Sequence, residues 1–231
     1  MKNTIEQAIE ALKNGEFILL YDFDDREGET DFAIMSRSVT PNDILTMRKD
    51  GGGLICTAVS SEIADSLGLP YISDALGEGC LAAERVGDST YDPDNKSAFS
   101  YWINHRSTKT GITDIERAKT TNELYKIGKQ FSKTLPHFGE KEFAEEFKTP
   151  GHCATLRAHK FLLDKRQGQT ELSIALAVMA NETPVVTICE MLDDNTGKAL
   201  NKEDAMKYAE KYDLVFLEGK QVVEAFKSFV K

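Results

Sequence analysis

Apolar Ile5, Ala8, Ile9 and Leu12 recur at the spacing of one helix face across the first sixteen residues. Thr4 with Gln7 forms a capping box, and Gly15 stands where a helix ends on a left-handed residue. Phe17 to Tyr21 is an unbroken apolar run, which predicts a buried strand, and it delivers the chain into the acidic segment Asp22 to Asp31. Thr40 and Pro41 open a helix through Met47, and Gly51 to Gly53 release the chain into a second buried strand, Leu54 to Val59. Glu62 to Leu67 is a short helix closed by Gly68 and Pro70. From Tyr71 to Lys96 the periodicity dissolves into a long excursion.

Alternation returns at Ala98 to His105, with Phe99, Tyr101 and Ile103 on one side of a strand. Thr113 or Asp114 caps a helix to about Ile127, and a polar excursion, Gly128 to Lys148, precedes a tight turn at Pro150-Gly151-His152. The remainder reads as strand Cys153 to Ala158, loop Lys165 to Gln169, helix Glu171 to Ala180 and strand Val185 to Glu190. Turn Asp193 to Gly197, helix Glu203 to Tyr212, strand Leu214 to Leu217 and a helix from Val222 complete it. Helices and strands alternate without a repeat or a flexible linker, so the expectation is one α/β layered domain over residues 1–231.

Composition narrows the function. The 231 residues carry a net charge of −10, spread along the chain, and such a field repels a phosphodiester backbone, so nucleic-acid binding is disfavoured. The longest apolar runs fall well short of the roughly 18 residues of a membrane span. Cys56, Cys80, Cys153 and Cys189 lie far apart with no Cys-x-x-Cys pair and no signal peptide before them, which predicts reduced thiols in a cytoplasm.

Six carboxylates and Arg26 crowd into the ten residues from Asp22 to Asp31, directly after a strand. Like charges at that density call for a cation or a proton among them, and hard ions such as Mg2+ take carboxylate oxygens; a solvated acidic loop is the plainer alternative. Arg166-Gln167-Gly168-Gln169-Thr170-Glu171 leads into a helix with Thr170 as a candidate N-cap, where a guanidinium, free N–H groups and the helix dipole suit a phosphate cradle; capping alone is the plainer alternative for Gly-x-Thr at a helix start. Glu190 closes a buried strand, where a carboxylate suits general acid or base work unless it is only a surface strand terminus, and the Pro-Gly frame poses His152, either for chemistry or as a structural hydrogen-bonder. Walker, Rossmann and Gly-x-Ser-x-Gly patterns are absent from the sequence.

Asp25-Arg26-Glu27-Gly28-Glu29-Thr30-Asp31, Gly53-Leu54-Ile55-Cys56, Thr110-Gly111-Ile112-Thr113-Asp114, Pro150-Gly151-His152, Arg166 to Glu171 and Ile188-Cys189-Glu190, in this order, resemble the 3,4-dihydroxy-2-butanone 4-phosphate synthases. The likeness spans essentially the whole chain and is nearest to the short archaeal-type enzymes, with no room for a fused cyclohydrolase domain. It implies three α-β-α layers around a mixed twisted sheet, a homodimer, and Mg2+ or Mn2+ as cofactor. It also implies conversion of the sugar phosphate ribulose 5-phosphate into the four-carbon phosphate and formate for riboflavin. Carried over by position, His152 and Glu190, with Glu29 and Cys56, are catalytic. Arg26, Glu27, Asp31, Arg166, Gln167, Gly168, Gln169, Thr170 and Glu190 bind substrate, and Glu27 with residue 169 binds metal. The family pattern has histidine at that last position; here it is Gln169, whose amide oxygen can still serve Mg2+. A phosphosugar-binding relative with weak or no turnover is the alternative reading.

Overall fold

The computed structural model describes residues 2–83 and 96–230, so the middle of the Tyr71 to Lys96 excursion lies outside the described residues. In chain order the elements are α1 (Ile5–Asn14), β1 (Ile18–Tyr21), β2 (Thr30–Met35), α2 (Pro41–Asp50), β3 (Cys56–Val59), α3 (Ser61–Leu67) and α4 (Ile72–Leu76). They continue as β4 (Phe99–His105), α5 (Asp114–Phe131), α6 (Glu140–Glu146), β5 (Phe147–Arg157), α7 (Gln169–Met179), β6 (Val185–Glu190), α8 (Lys202–Lys211), β7 (Val215–Glu218) and α9 (Gly219–Phe229). The predicted caps hold: Thr4 and Gln7 close a capping box, and Gly15 takes φ 77°. Thr40 caps α2 through the Asp43 N–H.

The seven strands form one sheet in the order β4-β5-β3-β6-β2-β1-β7. β1 with β7 and β3 with β5 run parallel, and the other neighbours are antiparallel. Side chains alternate between the two faces of a strand. Ile18, Leu20, Ala33, Met35, Val186 and Leu217 accordingly join a core with α1, α7 and α9 residues such as Leu12, Leu172 and Val222. Leu19, Phe32, Ile34 and Phe216 join the opposite core with Ile44 and Met47 of α2 and Ala205 and Ala209 of α8. The result is a single three-layer α/β domain around a mixed sheet.

Several boundaries depart from the sequence expectation, each for a physical reason. β2 was not signalled because all six of its residues are buried, which erases the alternation that marks a one-sided strand, and Thr30 and Asp31 belong to it rather than to the acidic loop. α5 runs past Ile127 to Phe131, because Gly128 lets the helix press against Val185 and Ile63, where a Cβ would meet methyl carbons at 3.1 and 3.3 Å. The excursion Gly128 to Lys148 therefore holds the end of α5, all of α6 and the start of β5. Pro150-Gly151-His152 is a bulge inside β5, not a turn before it. β4 steps once, from Ile103 to Asn104, while the paired residue on β5 moves from Cys153 to Lys148. The N-cap of α7 is Gly168 rather than Thr170.

Candidate active site

β1 ends at Tyr21, and the acidic loop that follows is organised by Asp22, which is 1% exposed. Its Oδ1 accepts from the Glu29 N–H at 2.9 Å, and its Oδ2 accepts from the Glu27 N–H at 3.2 Å and from Arg26 Nη1 at 3.0 Å. Arg26 also pairs with Glu27 Oε1 through Nη2 at 2.8 Å, so one guanidinium offsets part of the repulsion among these carboxylates. Antiparallel pairing of Asp31 with Glu190 then sets two more carboxylates side by side, where β2 begins and β6 ends.

A cavity of about 340 Å³ opens at this end of the sheet beneath the start of α7. Its wall includes Arg26, Glu27, Asp31, Cys56, Arg166, Gln169, Thr170 and Glu190, eight residues that the sequence singles out. Apolar Leu54, Phe99, Leu156 and Ile188 fill in between them; of these, Phe99 and Leu156 read in the sequence only as strand positions. The two arginines converge on Gly168: a Cβ there would lie 2.6 Å from Arg166 Nη1 and 2.8 Å from Arg26 Nη2. Arg166 is aimed by an ion pair with fully buried Glu171, whose other oxygen accepts from the His159 N–H at 2.9 Å. Two guanidinium forks thus stand at a helix N-terminus, where unpaired N–H groups and the dipole favour anions.

Other expected site residues stand apart. Gln167 turns back, its Nε2 donating to the Leu163 carbonyl at 3.1 Å, and does not line the cavity. Glu29 borders the site through its backbone, and its side chain is half-buried. His152 lies two residues before Ala154, the partner of Cys56 in the sheet, yet its side chain is exposed and bonded to Asn104 instead of facing the cavity.

The carboxylates carry the mark of their crowding. Burial, then Glu190 and Glu29, pushes Asp31 well above the ordinary aspartate range. Burial and the neighbouring Glu27 raise Glu190, and burial with Glu27 and Glu190 raises Glu29. The Cys56 thiol is also pushed up, chiefly by burial, so it packs as a neutral group rather than a ready nucleophile.

Gln169 is 7% exposed, and its Nε2 donates to the carbonyls of Leu20 (2.9 Å) and Glu29 (3.1 Å). Its Oε1 and the Oδ1 of Asp31 are buried without a hydrogen-bond partner in the protein, although both residues wall the cavity. Buried acceptors lacking donors are costly, and a hard divalent cation satisfies such oxygens. Among the described residues no three His, Cys, Asp or Glu side chains form a cage of their own. That suits an ion such as Mg2+, which is commonly held by one or two carboxylates and keeps several waters. Gln169 Oε1 and Asp31 Oδ1 thus fit such an ion, and Glu27 adds a carboxylate from the same cavity wall.

Neighbouring carboxylates, twin guanidinium groups and buried oxygens that lack donors, gathered in one cavity of an α/β domain, are the equipment of a metal-dependent enzyme acting on a small phosphorylated substrate. The family model for 3,4-dihydroxy-2-butanone 4-phosphate synthase matches residues 6–225. The chain belongs to that family. It is 49% identical over 227 residues to the 3,4-dihydroxy-2-butanone 4-phosphate synthase of Methanosarcina mazei, covering 96% of this chain and 90% of that one. The Archaeoglobus fulgidus enzyme is 46% identical over 229 residues, covering 97% and 94%. A crystal structure of a 3,4-dihydroxy-2-butanone 4-phosphate synthase in complex with two magnesium ions superposes with a TM-score of 0.78 at 25% identity, over 97% of each chain.

Proposed function

We propose that this chain converts ribulose 5-phosphate into 3,4-dihydroxy-2-butanone 4-phosphate and formate, the step that supplies the four-carbon unit of riboflavin, with Mg2+ or Mn2+ bound at Glu27 and Gln169. The observation that carries this reading is the unpaired Gln169 oxygen beside Asp31, Glu27 and Glu190 in a cavity that also holds two converging arginines. Arg26, Arg166 and the α7 N-terminus around Gly168 and Thr170 grip the phosphate, which leaves the sugar carbons facing the carboxylates. When bound, the cation supplies a Lewis acid for the negative charge that builds on the sugar oxygens.

Glu190 is the proton carrier of the pocket. Burial raises its carboxyl, bringing it nearer to the working pH at which general acid and base transfer are both efficient. Asp31 and Glu29 share that proton inventory, and Cys56 shapes the wall. His152 enters the catalytic set through the family resemblance alone, its side chain standing exposed on β5 outside the cavity; in the segment entering α5, Ile112 and Ile115 are 50% and 70% exposed. Exposed apolar groups of that size support a homodimer whose contact includes this region. The four free thiols support a reducing cytoplasm as its place of work, and no described helix is long and apolar enough to cross a membrane.

The direct test supplies ribulose 5-phosphate with Mg2+ and follows formate against sugar phosphate consumed. One formate per ribulose 5-phosphate, arrested by EDTA, is the expected result. Binding without formate would favour a phosphosugar-binding relative instead.

A further inference from the structure

Asn104 belongs to β4 and is 3% exposed, and its amide meets three partners. The His152 backbone N–H lies 2.8 Å from Oδ1, and the Thr110 carbonyl lies 3.1 Å from Nδ2. A backbone N–H can only donate and a carbonyl can only accept, so these two contacts together fix which end of the amide is oxygen. The same Nδ2 lies 3.2 Å from His152 Nδ1. Since Nδ2 has only hydrogens to offer, Nδ1 must bring a lone pair.

The surroundings hold this arrangement. A Cβ on Gly111 would fall 2.2 Å from the Asn104 amide, and one on Gly151 would fall 2.0 Å from the Ile103 carbonyl carbon and 2.4 Å from the Asn104 nitrogen. Gly111, at φ 85°, and Gly151 are therefore the two places where chain from either side closes on Asn104. The 109–113 segment that supplies the Thr110 carbonyl is itself tied down by Glu116. That carboxylate accepts from the backbone N–H groups of Lys109, Thr110 and Gly111 and from the hydroxyls of Thr110 and Thr113. Those bonds, led by the Lys109 N–H, hold its pKa down at about 2.

We propose that Asn104 is a positioning residue that locks neutral His152 in the tautomer with the proton on Nε2 and the lone pair on Nδ1. His152 then presents its outward nitrogen as a hydrogen-bond donor, fit to polarise a substrate oxygen and unfit, while neutral, to take a proton from substrate or to give one up. This role for the outward nitrogen rests on the synthase reading above; the tautomer itself does not.

Long-range proton–nitrogen correlation spectra of 15N-histidine-labelled protein, taken well above the ordinary imidazole titration range, test it, with His152→Gln identifying the resonances. In the wild type the expected pattern is a pyridine-like Nδ1 and a pyrrole-like Nε2. Asn104→Asp places an acceptor against Nδ1, and the expected spectrum shows the proton moved to Nδ1 or both nitrogens protonated. Asn104→Ala, the milder change, is expected to give exchange-averaged shifts. A wild-type proton on Nδ1, or variants whose His152 spectra match the wild type, would overturn the proposal. If the spectra behave as expected but His152→Gln releases formate at the wild-type rate, the tautomer lock stands and the catalytic placement of His152 fails.

Discussion

Gln169 has both ends of its amide assigned by its neighbours: two backbone carbonyls take the hydrogens, and the oxygen is left facing the cavity. Gln169→Leu removes both functions while keeping much of the volume. Calorimetric titration is expected to show Mg2+ affinity falling by roughly tenfold or more. Thermal unfolding should show a loss of about 1–3 kcal/mol from the two stranded carbonyls. Gln169→His exchanges an oxygen ligand for an imidazole, and imidazole suits Zn2+ better than Mg2+. Competition dialysis is expected to show Zn2+ gaining on Mg2+ in that variant. Asp31 makes a different prediction. Its folded-state pKa is raised, so the folded protein holds this proton more tightly than the unfolded chain, and stability is lost as pH rises through the folded value. In EDTA, Asp31→Asn is therefore expected to melt higher than the wild type at neutral pH, with the difference vanishing below the ordinary aspartate value of 3.8, while its formate release in Mg2+ collapses. The acidic loop, Glu190 and Arg166 were legible because charge density and strand-end position are properties of a contiguous sequence. Asn104 was not, since the group that gives it meaning, His152, is 48 residues away.

Two glycines show how elements, rather than single side chains, build the site. At Gly168 an added Cβ meets only the ends of two arginine side chains, which can swing aside. Gly168→Ala is thus expected to fold normally but to raise KM for the sugar phosphate, with kcat changed less. At Gly151 an added Cβ meets the β4 backbone at Ile103, which cannot yield without breaking the pairing. Gly151→Ala is expected to cost about 1–3 kcal/mol of stability, as overpacking does, seen as a lower midpoint in urea. The same contrast explains which elements the sequence revealed. α1 and α2 announce themselves through caps that are local in the chain. β2 is buried on both faces between β1 and β6, and β5 keeps pairing through a bulge that Pro150 and Gly151 disguise as a turn. Those features are set by neighbours brought in by the fold, not by local pattern.

At the scale of the molecule, the mixed sheet places the ends of β1 and β6 and the starts of β2 and β3 at one edge, and α7 points its N-terminus at the same spot. A net charge of −10 and a site whose positive groups are two partly buried arginines fit a small phosphorylated substrate far better than a polyanion. Sedimentation equilibrium is expected to give a dimer that Ile112→Glu with Ile115→Glu converts to monomer; a monomeric wild type would contradict the dimer. With glutamine at 169, the enzyme must still assemble a working cation seat with Glu27. The initial rate of formate release from ribulose 5-phosphate across a Mg2+ titration, for the wild type and Glu27→Ala side by side, tests this. Saturable, Mg2+-dependent formate release by the wild type and none above background from the variant is the expected result. Equal rates for the two proteins, or no formate from the wild type at saturating Mg2+, would contradict it.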